Sequence, residues 1–288
     1  MPMFRRSDGD LVRGEAPVRQ LMPYLMRGRN EACVYQETVF RIAAARAWLK
    51  AYNQAHPGRA TMFHLIAYAT AICMQERPRL NRFVSGGHHY QRREVSLAFV
   101  VKTAFREEAA GATVKVLAPR GEPFAEWSIR LGALVDEART TQRSVDQEVN
   151  LIMRLPGFLI RALVGLARCL DNWNLYPAFM IRNDPMYTTV FLANLGSVGI
   201  SDVYHHLYEY GTTSVFGAVS EPRPTAFTEL DGVVVAPGLS VRWTFDERID
   251  DAFSCAGGLD IIRKITEDPA RWLGPPEGSP TWMGQPWT

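Results

Sequence analysis

The chain has 288 residues, 47% of them hydrophobic and 22% charged, an ordinary globular composition long enough for one large domain or two small ones. A net charge of +2 gives no argument for nucleic acid, and short clusters such as Arg5-Arg6 and Arg92-Arg93 read as solvated surface. The four cysteines, Cys33, Cys73, Cys169 and Cys255, form no Cys-x-x-Cys pair and lie at no metal-ligand spacing from a histidine. Neither a disulfide framework nor a metal site is therefore expected.

Residues 1–16 read as a loose polar leader with no apolar core of signal-peptide length, so a cytoplasmic location is expected. Residues 37–54 carry a helical pattern in Ile42, Ala43, Ala45, Ala47, Trp48 and Leu49, ended by Pro57-Gly58. A second apolar helix is predicted from Thr61 to about Glu76, stopped by Pro78. His56 and His64 read as structural, and His88-His89, after Gly86-Gly87, as a turn. Residues 94–102 and 112–117 read as strands, and residues 123–149 return to helix. After residue 185 the chain is mainly β, with strands at 187–195, 213–219, 232–235 and 239–245. The last of these alternates at Val241, Trp243 and Phe245. A final helix is predicted over 251–266, and residues 274–288 read as a tail rich in Pro and Gly. Helices first, then strands, then a charged strand-to-helix junction predict an α/β fold: a two-layer sandwich with a large mixed β-sheet.

Four segments carry a resemblance. They are Arg79-Leu80-Asn81-Arg82-Phe83, Ser96-Leu97-Ala98-Phe99-Val100, Ala193-Asn194-Leu195-Gly196-Ser197-Val198-Gly199, and Phe245-Asp246-Glu247-Arg248-Ile249-Asp250-Asp251-Ala252. In order and spacing they resemble the Pro-x-Leu-Asn segment, the strand after it, the Ser-Asn-Leu-Gly turn and the Asp-His-Arg-x-x-Asp-Gly signature of one family. That family is the catalytic domain shared by the dihydrolipoyl acyltransferases and chloramphenicol acetyltransferase. The resemblance covers roughly residues 17–273. It implies the chloramphenicol acetyltransferase-like fold, coenzyme A or acyl-coenzyme A as a substrate, and a homotrimer or a multiple of trimers with sites between subunits. No lipoyl group and no nucleic-acid partner are expected on this chain.

In that family a histidine takes the thiol proton, an aspartate four residues later holds the loop by an ion pair with an arginine, and a serine donates to the oxyanion. Carried over, the histidine position is Glu247 and the aspartate is Asp251. The serine falls at or beside Ala193, leaving the Asn194 amide as the available donor. A glutamate carboxyl titrates near about 4.3 and a histidine near about 6.5, against about 8.5 for a thiol. Glu247 either serves as a base raised by burial or pairs with Arg248, Arg242 or a neighbouring subunit and does no chemistry. His205 and His206 are adjacent, so in a strand or turn one of them would face the site and supply a base, or one packs and the other is exposed.

Residues 148–185 read as an apolar helical insert beyond the family pattern. Between Leu151 and Leu170 the only charges are Arg154, Arg161 and Arg168, spaced by seven. Seven steps make about 700°, so three arginines on one helix share a face. Pro156 is expected to kink or start the helix. The arginines argue against a membrane span. The segment is either a core or subunit-contact helix or one lying in a membrane interface, which would place the chain at the periphery of the inner membrane. Two functions follow: an acyltransferase with an altered acid–base site, or an inactive homo-oligomeric scaffold, membrane-associated through Leu151 to Leu170.

Overall fold

The computed structural model describes residues 5–102 and 111–284, with residues 102, 111 and 139–152 described through their backbone alone. In chain order the first elements are β1 (Gly9–Leu11), α1 (Pro17–Leu25), β2 (Cys33–Arg41), α2 (Ala43–Ala55) and α3 (Met62–Glu76). A 3-10 turn at Pro78–Asn81 leads into β3 (Arg82–Ser85), β4 (His88–Arg92), β5 (Ser96–Lys102) and β6 (Gly111–Leu117). Then come α4 (Phe124–Ile152), α5 (Gly157–Asn172), α6 (Ala178–Asn183), β7 (Val190–Asn194) and a 3-10 turn at Leu195–Val198. The chain closes with β8 (Val215–Val219), β9 (Arg223–Glu229), β10 (Gly232–Asp246), α7 (Ala252–Glu267) and α8 (Pro269–Leu273).

Among the described residues the main sheet has seven strands, six of them in the order β2-β10-β8-β7-β5-β6, with β9 paired to the first half of β10. The pairs β5–β7 and β7–β8 are parallel and the rest antiparallel, so the sheet is mixed, as the element order predicts. A small sheet, β1-β4-β3, stands beside it. Alternation sorts the side chains of β10. Leu239, Val241, Trp243 and Phe245 enter the core formed with α2, α3 and α7, while Ser240, Arg242, Thr244 and Asp246 point to the second face. Helix α3 is buried on nearly all sides, the mark of a core helix rather than a surface one. Gly217 on β8 lets Trp243 lie flat against the strand: a Cβ there would stand 2.8 Å from the indole and 2.7 Å from Leu192.

Several expectations need correction. Residues 37–41 are strand, not helix, because β2 pairs with β10 from Arg41 to Cys33, and this ladder overrides the local alanine-rich helix signal that begins at Ala43. Residues 232–235 and 239–245 form one strand. His88 and His89 belong to β4, and the turn is Gly86-Gly87 alone. The segment read as a polar leader contains β1, and its Arg6 is buried, donating to Asp8 and Asp171 at 2.6 and 2.7 Å. The segment read as a tail packs back on the helices over residues 274–284, and residues 285–288 lie outside the described residues. Its Gly274 carbonyl accepts from Trp48 Nε1 at 2.9 Å, and Trp282 stacks on Trp272.

In the insert Pro156 starts α5. Arg154 falls in the turn before it, so only Arg161 and Arg168 share a helical face. Nor is α5 a core helix of this chain. Only its last turn is buried, at Asp171, and Phe158 and Leu166 are 70% and 56% exposed. Among the described residues no helix is long and apolar enough to cross a membrane.

Thr61 and His64 close a reciprocal cap at the start of α3. The Thr61 hydroxyl accepts from His64 N–H, and His64 Nδ1 accepts from Thr61 N–H at 3.3 Å. Burial pushes the His64 imidazole down from 6.5 to about 4. A folded pKa below the unfolded one contributes stability that is present above the unfolded value and lost as pH falls through the folded one. Stability should therefore decline from pH about 6.5 toward about 4 through this residue. His64→Gln keeps the capping geometry without the titration and is expected to flatten that limb in urea denaturation across pH. An unchanged slope would assign the acid loss to another group.

Candidate functional site

The signature segment forms a corner at the end of β10. Arg248 donates to both carboxylate oxygens of Asp246, Nε to Oδ1 at 2.8 Å and Nη2 to Oδ2 at 2.7 Å. Its remaining nitrogen, Nη1, donates to the carbonyls of Met26 and Arg27 at 3.1 and 3.4 Å, in the link between α1 and β2. Both residues are buried. His89 Nε2 donates to the Arg248 carbonyl at 2.9 Å, and its Nδ1 lies 3.1 Å from Glu15. Since a carbonyl only accepts, Nε2 carries the hydrogen.

Asp251 is the N-cap of α7, accepting from Ser254 N–H at 3.1 Å, and it pairs with Arg19 at 3.2 Å. The Ser254 N–H above all, then the Arg19 charge, hold its carboxyl below the usual aspartate range. The neighbouring Asp250 carboxylate is buried, 3.0 Å from Arg79 and 3.6 Å from Arg19. Neither Arg19 nor Arg79 is legible in the sequence as a partner of these carboxylates, although Arg79 opens one of the segments that carry the resemblance. An arginine partner for Asp251 was expected, but nothing in the spacing selects one arginine among so many.

Glu247 stands between buried neighbours and is itself exposed. Its N–H donates to the Ala32 carbonyl at 3.0 Å, and among the described residues its carboxylate has no hydrogen-bond or ion-pair partner. The expected pairing with Arg248 or Arg242 is therefore not found within the chain. Arg248 is committed to Asp246, and Arg242 to Glu37 and Asp202.

The other candidates lie apart from it. Asn194 ends β7, and its side chain has no partner among the described residues; Ala193 sits on the second face beside Ala218. Ala193 is in register with Ala218, and Ala218 with Arg242. Asn194, one step further, is in register with Val219 and so with Val241, and Glu247 is six residues beyond Val241, roughly 20 Å along the strand direction. One chain does not bring Glu247 and Asn194 together.

Of the two alternatives for the histidine pair, the structure has the second: His205 packs, half-buried, and His206 is exposed, on a segment that is not a strand. Their rings stack on each other with centroids 4.7 Å apart, and His205 also lies flat on Phe216 at 4.1 Å. Burial pushes the His205 imidazole down. Thr244 on β10 fixes this segment by donating to the His205 carbonyl at 2.6 Å. Sequence reasoning also passed over Cys33 and Tyr35, which face Asp246 and Thr244 across the β2–β10 ladder. The Cys33 thiol donates to the Arg29 carbonyl at 3.2 Å, and burial pushes its pKa up. Among the described residues no three metal-ligating side chains converge.

Removing one partner of a buried ion pair leaves the other charge uncompensated and destabilises by about 3–5 kcal/mol. Asp246→Asn is expected to cause a loss of that size in chemical denaturation. A loss below about 1 kcal/mol would show that the corner does not depend on this pair.

No family model and no curated protein matches the sequence. Solved structures do match in fold. A probable dihydrolipoamide acetyltransferase from Listeria monocytogenes superposes with a TM-score of 0.57 at 13% identity, over 90% of this chain and 94% of that one. The dihydrolipoamide acetyltransferase of Azotobacter vinelandii gives 0.56 at 14% identity, over 90% and 93%. The structure of that enzyme was determined to probe the roles of a serine, a histidine and an asparagine in its mechanism. A chloramphenicol acetyltransferase gives 0.52 at 11% identity, over 90% and 100%. Across nine-tenths of its length this chain therefore has the chloramphenicol acetyltransferase-like fold of the acyltransferases.

Proposed function

We propose that the chain is a coenzyme A-dependent acyltransferase whose site forms between protomers of a trimer, with Glu247 in the place of the usual histidine base. The observation that carries this reading is the free carboxylate of Glu247, held on a corner whose other acidic and basic side chains are all paired. The ion pair of Asp251 with Arg19 supports it, since the family resemblance implies such a pair holding the loop. In the Azotobacter enzyme the asparagine stands four positions after the histidine, the spacing that separates Glu247 from Asp251.

In the proposed step the Glu247 carboxylate takes the proton from a thiol, and the thiolate sulfur attacks the carbonyl carbon of an acyl thioester. The Asn194 amide of a neighbouring protomer donates to the tetrahedral oxyanion. The intermediate collapses by breaking the other carbon–sulfur bond, and the leaving thiolate takes the proton back from Glu247. A carboxyl in water is about four pK units too acid to deprotonate a thiol well, roughly 5–6 kcal/mol uphill. Water exclusion at a protomer interface is what narrows that gap. The reading expects a trimeric mass in solution and thioester exchange from acyl-coenzyme A that falls about a hundredfold or more in Glu247→Gln. A monomer at micromolar concentration, or unaltered exchange in the variant, would remove Glu247 from any such mechanism.

A second reading has its own observation. Phe158 and Leu166 on α5 and Trp173 at its C-cap form an exposed apolar stripe, with Arg161 and Arg168 on the adjoining face. A stripe of this kind, edged by cations, suits the interface of an anionic membrane, and the chain would then act as a homo-oligomeric scaffold at that surface. Flotation with vesicles containing phosphatidylserine should carry the wild type and leave Phe158→Glu/Leu166→Glu behind. Equal partitioning of the two would rule out the stripe as a lipid contact.

A further inference from the structure

A cavity of about 600 Å³ opens between the end of α1, the Gly86-Gly87 turn, the last turn of α5 and residues 209–211. Four arginines line it, Arg27, Arg29, Arg168 and Arg248, against the two carboxylates of Asp171 and Glu209. The Asp171 charge is matched by a cation, and the Glu209 oxygens are taken up by main-chain donors. Asp171 pairs with Arg6 at 2.7 Å, and the Glu209 oxygens accept from the N–H groups of Arg29 and Asn30 at 3.2 and 2.9 Å. Arg248 is likewise matched by Asp246.

The remaining three arginines are not. Arg29 is only 7% exposed. Its guanidinium donates to two neutral carbonyls, Glu209 at 3.1 Å and Val84 at 3.3 Å, and its Nε is buried without a partner. Among the described residues no carboxylate lies within ion-pair distance of it, and burial pushes its pKa down. Arg27 and Arg168, at the mouth, are exposed, and their side chains have no partner among the described residues. A buried cation is ordinarily paired, and planar guanidinium groups converging on one space are the usual recognition device for phosphate and carboxylate.

We infer that this cavity binds a small molecule through an oxyanion group, a phosphate or a carboxylate, held by Arg29 at the floor and by Arg27 and Arg168 at the mouth. The volume exceeds that of a bare ion and matches an organic ligand. Arg168 and the Asp171 turn come from the insert, so the site belongs to a part of the chain that the acyltransferase resemblance does not explain. The inference does not need Glu247 to act as a base.

Calorimetric titration of the full chain with inorganic pyrophosphate and with citrate tests it without any acyl transfer. Saturable binding is expected, weakened about tenfold or more in Arg27→Gln/Arg168→Gln. Those side chains are exposed and unpaired, so the double variant should keep the wild-type circular dichroism and melting temperature. Arg223→Gln, away from the cavity, should bind as the wild type does. Tighter pyrophosphate binding identifies a phosphate-bearing ligand, and tighter citrate binding a carboxylate one. No binding of either anion at millimolar concentration, or equal binding by wild type and double variant, would overturn the proposal.

Discussion

The bidentate pair between Asp246 and Arg248 is the constraint on which the corner depends. Strand β10 is the spine of the main sheet, paired to β2, β8 and β9 along its length. Where it ends, Asp246 and Arg248 are both buried, two positions apart. Burying two such charges is costly, and only full hydrogen bonding offsets the penalty. Here it does: Arg248 uses Nε, Nη1 and Nη2, reaching the α1–β2 link as well as Asp246. Through the Arg248 carbonyl the same residue takes up His89, and so joins the small sheet and Glu15 to the corner. With both neighbours anchored inward, the side chain between them is left to face outward, which is the position of Glu247.

The second face of the sheet follows the same logic of polar side chains kept in place by specific partners. Alternation sends Ser240, Arg242 and Thr244 away from the helical core. Residues 202–205 lie across them and take up Ser240, Thr244 and Arg242 Nη2, while Arg242 Nε is buried without a hydrogen-bond partner among the described residues. Asp202 accepts from Ser240 Oγ at 3.1 Å and from Arg242 at 2.9 Å, and the His205 carbonyl accepts from Thr244. Asp202 does this from a left-handed backbone with φ of 62°, a conformation that aspartate tolerates better than most residues. The histidine pair is thus placed by main-chain and stacking contacts. Its rings lie on Phe216 and on each other, three residues of strand short of Glu247.

What the sequence makes legible here is whatever repeats locally. The odd-numbered apolar run Val241, Trp243, Phe245 announces a strand, and the α3 segment announces an apolar helix, and both form as read. The β2 segment is misread over 37–41 because its evidence is a partner strand some two hundred residues away, invisible in local propensity. The small strands β1, β3 and β4 are three to five residues long, too short to carry a periodic signal. At the site, Glu247 and Asp251 are found through a motif, since they sit within one short turn. Arg19, Arg79, Cys33 and the cavity arginines come together from distant segments, and a single sequence does not say which of its many arginines meet.

The two sets of unpaired groups differ in a way that bears on what each can do. Glu247 and Asn194 lie near opposite ends of strands in one sheet, and strands are stiff, so no rearrangement within one chain closes a gap of roughly 20 Å. Chemistry that joins them needs a second copy of the chain. Arg27, Arg29 and Arg168 already share a cavity in one copy. Two of them flank the link that Arg248 grips, Arg27 through its own carbonyl. The third stands one turn before Asp171, which Arg6 and Ser85 tie into the body of the protein. The insert therefore has two parts with separate physical roles. Its last turn is wired by charge into the fold beside the cavity, while the stripe from Phe158 to Leu166 makes no comparable contact among the described residues and keeps its apolar side exposed. Only the first of these parts lines the cavity, where Arg168 and Asp171 stand with Arg248 of the corner.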